Sequence, residues 1–558
     1  MNKPEMSSPD SQLQKLLNTV YEEAKLFADS QSASLKKLTQ VGLALSSEKN
    51  IKKLLEMIVS CARDFTNADA GTLYIVDEEE QVLRFEIIQN DTLGTKLGGI
   101  EGGEINLPAV PLRVDGKPNH ANVSSYCALT GETINIPDVY KAKDFDFTGP
   151  RKYDEQTGYR SRSMLVIPLK DHDNEIIGVL QLLNAIDRES NEVIAFAPAY
   201  TELVSSLASQ AAIALENAQL IEELKKLFDS FIQGIATAID EKSPYTGGHI
   251  RRVTELTMMM AHKINKVSEG PLGNKRFSGE ELEELRIAAW LHDVGKITTP
   301  EFIIDKRNKL ETIFDRYELI ETRFELIKKS LENSYLREKI RILKEDKDAA
   351  ARLNRMEKKF QEEMKTIEDD KAFIARCNLP GEFMSDDDLK QLRQIGSKTF
   401  ALNGEKQPYL SENELQNLSI RKGSLTEEER SKIENHVLMS IKILEQLPFP
   451  KKLRRVPEIA GSHHEMMDGS GYPYGLKGDE LPLQARIMAI ADIFESLTAK
   501  DRPYKKPMKL SQTIKILEEL KERNKIDPDL YDLFVNSGLL KEYAKKTLNP
   551  AQIDLEIS

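Results

Sequence analysis

The chain reads as multidomain: an α+β, sensor-like N-terminal part followed by an all-α domain that carries a helical insertion. Three observations predict this. A length of 558 residues exceeds what one hydrophobic core organises and suggests about three or four folding units. Short apolar runs rich in β-branched residues crowd residues 50–190, the mark of strands. Beyond about residue 200 they give way to helix formers at helical spacing. The net charge of −13 argues against wrapping a nucleic-acid polymer, which needs a basic face, but leaves room for a local basic pocket for a small anion.

Residues 1–34 are expected to form an N-terminal helix. Leu13, Leu17, Val20, Ala24 and Phe27 alternate spacings of four and three, an amphipathic stripe. The mixed sign of its polar face favours packing on the next domain over membrane binding. From 35 to 200 the runs GTLYIVD, LRFEIIQ, SMLVIPLKD and EIIGVLQLLN read as strands, and His172, Asp173 and Asn174 turn the last two into a hairpin. Residues 201–231 read as a coiled-coil linker helix, because Leu203, Leu207, Gln210, Ala214, Asn217, Ile221, Leu224, Phe228 and Phe231 keep strict four-three spacing. Polar residues at Gln210 and Asn217 would fix register and strand number. A single amphipathic helix lying on its own domain is the alternative; the length of the pattern favours a parallel homodimer. Helical sequence at 232–304 and 421–558 flanks a charged segment, 305–420, that lacks proline and glycine until Pro380 and Gly381. Two long, solvated antiparallel helices with no active role are expected there.

Two short runs carry chemistry. LHDVGKI at 291–297 and HHEMMDGSGYP at 463–473 bring imidazoles and carboxylates together in a chain with eight histidines, the ligand mix that borderline transition metals prefer. Lys296 lies four residues beyond His292, which places both on one face of a continuing helix. The glycines around Tyr472 permit close backbone approach. His120, His172 and His262 have no such context and read as structural. Cys61, Cys127 and Cys377 are far apart and suit a reducing compartment. With no signal-peptide pattern and no apolar run long enough to cross a bilayer, a cytoplasmic location and a soluble signal are expected.

The stretch TGETINIPDVYKAKDFDFTGPRKYDEQTGYRSRSMLVIPL, followed by IIGVLQLLN, resembles a GAF domain, in particular those attached to cyclic-nucleotide phosphodiesterases, over about 35–215. The resemblance implies an α+β sensor and a small-molecule ligand. Two departures stand against a cyclic nucleotide: Asn184 is followed by Ala185, and Phe196 by Ala197, Pro198 and Ala199 where such domains carry an acidic pair. A dimerising or structural GAF domain therefore stands beside a ligand-binding one. Cys127 reads as a structural cysteine rather than a chromophore attachment.

LHDVGKI and HHEMMDGSGYP together resemble the HD-GYP family of metal-dependent phosphohydrolases, over roughly 225–300 and 420–550. The resemblance implies hydrolysis of cyclic di-GMP to pGpG and/or GMP at a binuclear metal centre, where two cations lower the pKa of water and clamp a phosphate. It assigns His249, His292, Asp293 and Asp492 to one metal, and Asp293, His436, His463 and His464 to the other. Asp293 is the bridge. Iron or manganese is implied, and zinc also suits these ligands. Some members carry a glutamate four residues before the first histidine that helps to hold a third metal; Tyr245 stands there, so two metals are expected. Lys296 is implied to contact the scissile phosphate. Arg502 and Lys505 match the family's basic pair near the substrate phosphate, and Tyr472 is implied to shape the substrate site. The family connection at 305–420 is usually short. Two rivals remain: an interaction module that binds signalling partners without turnover, and a phosphodiesterase for another cyclic dinucleotide.

Overall fold

The computed structural model describes residues 9–242, 248–345, 350–381, 383–402, 405–499 and 507–555. The chain divides into two compact units, Met1–Leu227 and Phe228–Ser558. Among the described residues no helix is long and apolar enough to cross a membrane.

The N-terminal unit is built on an antiparallel sheet whose strands neighbour one another in the order Thr95–Gly98, Val82–Asn90, Ala68–Asp77, Ile176–Ile186, Met164–Lys170 and Ile134–Ile136. Strand alternation sends side chains to two cores. On one face Leu73, Ile87, Leu165, Ile167 and Leu180 pack against Leu54, Ile58 and Val59 of helix Ile51–Thr66 and against Leu207, Ala211 and Leu215 of helix Pro198–Asp240. On the other, Tyr74, Met164, Val166 and Val179 meet Val123 and Cys127 of helix Val123–Thr130. Burial pushes the Cys127 thiol up to about 12, as suits an inert structural cysteine. The expected hairpin forms: Asp171 accepts bonds from the backbone N–H of Asp173 at 2.9 Å and Glu175 at 2.8 Å, and Asn174 takes the left-handed conformation (φ 64°). Asn184 is also left-handed (φ 56°) and buried. It donates to the Tyr159 hydroxyl and the Arg160 carbonyl, both at 2.9 Å, while Tyr159 donates to Asp69 at 2.7 Å. Asn184 is thus occupied in holding the fold.

Both terminal helices of this unit differ from the expected boundaries. The first runs from Pro9 to Ser47, straight through residue 34, and its Leu17 and Val20 are exposed rather than packed on the next domain. The last is one helix, Pro198–Asp240, rather than an element confined to 201–231. Its four-three stripe does two jobs. Leu207 and Ala214 are buried in the N-terminal core, whereas Leu220, Ile221, Leu224, Leu227, Phe228 and Phe231 are exposed.

In the C-terminal unit, helices His249–Ile264, Gly279–Leu291 and Leu483–Thr498 contribute Val253, Leu256, Leu285, Ile287, Met488 and Phe494 to a core closed by Leu530, Phe534 and Tyr543. Helix Gly279–Leu291 opens on a Ser278–Glu281 capping box and gives way, after His292 and Asp293, to a 3₁₀ turn, Val294–Thr298. The turn lies hard against helix Glu427–Leu444. A Cβ at Gly295 would fall 1.9 Å from the His436 carbonyl oxygen and 2.5 Å from the Ser440 nitrogen. The Gly295 N–H donates to the Ser440 hydroxyl at 2.8 Å, which in turn donates to the His292 carbonyl at 2.9 Å.

Within 305–420, helices Tyr317–Glu345 and Ala350–Asn378 do run antiparallel, with Tyr335 stacked on Phe360 at 4.4 Å and Lys328 paired with Glu368. The segment is more than a solvated spur, however. Leu310, Ile320, Phe324, Phe373, Ile374, Leu392, Phe400 and Leu418 form a core of their own. A hairpin of Thr399–Leu402 with Glu405–Pro408 belongs to this lobe. Its buried Lys306 donates to both oxygens of Glu429 at 2.8 Å, in the first turn of the helix that carries His436.

Because backbone, not a flexible side chain, meets the missing Cβ, Gly295→Ala is expected to destabilise the C-terminal unit by about 1–3 kcal/mol. Chemical denaturation should show that unit's transition shifted and the N-terminal unit's unmoved.

Candidate metal centre

Five elements deliver the seven candidate ligands. His249 is the first residue of its helix, reached through left-handed Gly248 (φ 79°). His292 and Asp293 lie where helix Gly279–Leu291 ends, His436 is in helix Glu427–Leu444, His463 and His464 follow helix Val456–Ala460, and Asp492 is in helix Leu483–Thr498. All are buried except His464, which is half-buried.

They converge on the Asp293 carboxylate. Its Oδ2 faces Nε2 of His292 at 3.3 Å and of His249 at 3.6 Å; its Oδ1 faces Nε2 of His436 at 3.3 Å and of His463 at 3.9 Å. Asp492 closes the ring, 3.3 Å from His249 Nε2 and 4.0 Å from His464 Nδ1. His249, His292 and Asp293 form one group whose ligand atoms lie within 4.8 Å of one another, and His436, His463 and His464 form a second.

The ring nitrogens are oriented for this. Nδ1 of His292 bonds the Ala289 carbonyl at 2.8 Å, Nδ1 of His436 the Ile433 carbonyl at 2.5 Å and Nδ1 of His463 the Ala460 carbonyl at 2.6 Å, while Nδ1 of His249 bonds Glu495. Each partner is an acceptor, so each Nδ1 carries a proton, and Nε2 of His292, His436 and His463 presents a lone pair inward. Nε2 of His292, His436 and His463 and Oδ1 of Asp293 are buried with no hydrogen-bond partner. Orphaned polar atoms at that depth are costly, and here they are the donor atoms a cation would take. The residues fit a metal pair.

Electrostatics point the same way. Burial alone would raise the Asp293 carboxyl, but the Lys296 ammonium and the His292 and His249 rings outweigh it and hold the group well below the usual carboxylate range. Burial, reinforced by the rings of His464 and His292, drives His463 well below an ordinary histidine, and burial lowers His464 to about 4 against the pull of Asp492. Both are neutral, as metal ligands must be. His249 goes the other way. Burial would lower it, but the carboxylates of Glu495, Asp293 and Asp492 lift it well above its ordinary value.

Lys296 is close to the centre by a different route from the one expected. The α-helix stops at Leu291, and the 3₁₀ turn brings the Lys296 ammonium 2.5 Å from Asp293 Oδ2, three residues away. Tyr472 lies over the outer side, its ring 4.9 Å from that of His464, and burial raises its hydroxyl. Arg502, Lys505 and Tyr245 fall outside the described residues.

Sequence reasoning missed the residues that support the ligands. Glu495 takes His249 with one oxygen and Arg252 Nε with the other, at 2.7 Å. It lies three residues after Asp492, hence on the same helix face, which was the available signal. Glu465, directly after the paired histidines, is buried and accepts from the N–H groups of Tyr474 at 2.7 Å, Gly475 at 3.1 Å and Leu476 at 3.0 Å, so it pins the loop that follows Tyr472. Gly471 lets that loop come close, since a Cβ there would meet the His464 carbonyl at 2.5 Å.

Comparison with known proteins fits this geometry. A GAF domain family matches residues 50–215, and HD domain families match residues 246–375 and 413–530. The chain carries a GAF domain and an HD domain. Over 124 residues it is 37% identical to a probable cyclic di-GMP phosphodiesterase of Vibrio cholerae serotype O1, covering 21% of this chain and 28% of the relative. It is 40% identical over 109 residues to a 3'3'-cGAMP-specific phosphodiesterase 3 of the same organism, covering 20% and 23%. It is 40% identical over 101 residues to a cyclic di-GMP phosphodiesterase of Thermotoga maritima, covering 18% and 27%. The chain thus spans about a quarter of the length of these curated relatives. The first HD match runs to residue 375, through the helical hairpin of the inserted lobe.

Two outcomes are expected of the HD domain. Glu495→Gln, which removes the charge oriented on His249, should weaken Mn²⁺ uptake about ten- to a hundredfold, read by metal titration. Because His249 holds a proton at neutral pH that must leave before its Nε2 can bind a cation, uptake should release protons and strengthen as pH rises; calorimetry in buffers of different ionisation enthalpy measures this.

Proposed function

We propose that this chain is a binuclear-metal phosphodiesterase that hydrolyses cyclic di-GMP to pGpG and/or GMP under the control of its GAF domain. One observation carries the reading: the two oxygens of Asp293 face two separate pairs of imidazole nitrogens, 3.3 and 3.6 Å on one side and 3.3 and 3.9 Å on the other. That is the arrangement of a carboxylate bridging two cations. One cation would take His249, His292, Asp293 and Asp492, and the other Asp293, His436, His463 and His464. Nitrogen and oxygen donors without thiolate suit iron or manganese, and zinc as well. When bound, such a pair supplies Lewis acidity that activates water and neutralises phosphoryl charge.

The chain's own groups supply the rest. Lys296, partly exposed beside Asp293, sets a positive charge where charge builds on the phosphoryl oxygens. Tyr472, tilted over His464, offers a flat wall for a base or sugar. Arg502 and Lys505 would add phosphate contacts, and their charge would be local, as a chain with a net charge of −13 requires. Cys61, Cys127 and Cys377, none of them in a disulfide, fit the cytosol. A second substrate, a mixed cyclic dinucleotide, is favoured by the name of one relative, a 3'3'-cGAMP-specific enzyme. The signal would enter through the GAF domain as a small soluble ligand.

The unit of function would be a homodimer. Leu220, Ile221, Leu224, Leu227, Phe228 and Phe231 leave an apolar stripe exposed along helix Pro198–Asp240 at the spacing of a parallel coiled coil. Sedimentation should show a dimer for the native chain and a monomer for Leu224→Glu/Phe231→Glu; a native chain that stays monomeric at high concentration removes this part of the reading.

Elemental analysis followed by product chromatography across a panel of cyclic dinucleotides tests the whole. Two metals per chain and a linear product are expected, with both lost in Asp293→Ala. A metal-replete chain that leaves every cyclic dinucleotide intact would instead leave the HD domain as an interaction module.

A further inference from the structure

The long helix that leaves the N-terminal unit ends at Asp240, and Lys242 follows directly. The Lys242 ammonium donates to three backbone carbonyls in a row of four residues: Lys296 at 3.0 Å, Ile297 at 2.5 Å and Thr299 at 2.8 Å. These carbonyls close the 3₁₀ turn Val294–Thr298. The Lys296 carbonyl also accepts the Thr299 N–H at 3.1 Å, the bond that closes the turn; carbonyls at the C-terminal end of a helical turn carry partial negative charge. An ammonium has three donors, and here each goes to one of them.

The turn is thereby held from two sides. Ser440 fixes it from within through the Gly295 N–H, and Lys242 fixes it from outside. The side chain that projects from it is Lys296, set on Asp293. The same helix end also reaches the other side of the centre, where Asp240 Oδ2 accepts from the Gly248 N–H at 3.1 Å, one residue before His249. The Lys242 ammonium bonds backbone carbonyls of the turn rather than any of the seven candidate ligands, so its influence passes through that backbone.

We propose that Lys242 is a positioning residue: it sets the height of the Val294–Thr298 turn, and with it Lys296, and it is the point at which a displacement of helix Pro198–Asp240 reaches the reaction site. The inference rests on the phosphodiesterase reading above and adds to it a named mechanical link for its control.

The test uses the full chain. Lys242→Met keeps length and removes the donors, Lys242→Arg keeps donors, and Lys296→Met, alone and combined with Lys242→Met, closes a cycle. Lys242→Met is expected to retain both metals by elemental analysis, to lose about ten- to a hundredfold in kcat for cyclic di-GMP with little change in KM, and to speed hydrogen exchange of the 294–299 amides. Lys242→Arg should recover most of kcat. On top of Lys296→Met, removing Lys242 should cost nothing further, because the group it positions is already gone. A Lys242→Met chain with native kcat and native exchange would overturn the proposal, as would an equal loss in the Lys296→Met background, which marks general destabilisation. The two readings fail separately. A native chain that turns over no cyclic dinucleotide defeats the phosphodiesterase reading, while unchanged exchange at 294–299 in Lys242→Met defeats the positioning role whatever the activity.

Discussion

A carboxylate buried among imidazole nitrogens is the constraint on which the C-terminal unit turns. Asp293 sits nearly inaccessible to water, where an isolated charge would be prohibitively unfavourable, and the surrounding fold is arranged to make it tolerable. Three backbone carbonyls and one carboxylate turn four histidines so that their Nε2 atoms face inward. A glycine lets the turn that follows Asp293 come within contact of the helix that carries His436. These features are about position rather than bulk stability. They bring five separate chain segments within a few ångströms of one another.

The parts of this centre that sequence reveals are those written in short, unusual runs. LHDVGKI and HHEMMDGSGYP could be read directly, and His249, His436 and Asp492 could be placed by resemblance to a family pattern. The supporting residues could not. Glu495 looks like any glutamate in an amphipathic helix, and Ser440 like any small polar residue, until the neighbouring elements are in place. The 3₁₀ turn is a similar case: a four-residue spacing from His292 to Lys296 suggests a continuing helix, yet the close approach to His436 tightens the chain into i+3 geometry, and Lys296 reaches Asp293 that way instead.

Elsewhere the misreadings share one cause, the ambiguity of periodic apolar spacing. Along Pro198–Asp240 the same four-three rhythm serves intradomain packing in its first part and an exposed stripe in its second. In 305–420 the apolar residues of the lobe core are diluted among charges over more than a hundred positions, so local composition conceals them. In the GAF domain, conversely, the departure at Ala185 was legible, but the work of the Asn184 before it was not: that side chain is committed to Tyr159 and the backbone beside it.

The inserted lobe is tied to the rest of the unit by the buried ammonium of Lys306, which Glu429 and Asn417 share. Glu429 is also half of the Thr426 capping box that starts the His436 helix, so one carboxylate serves both as a helix start and as a rivet. An ion pair sequestered from solvent tolerates little sliding. The insertion is therefore not a removable ornament: its seating and the start of the helix that carries His436 are mechanically one joint.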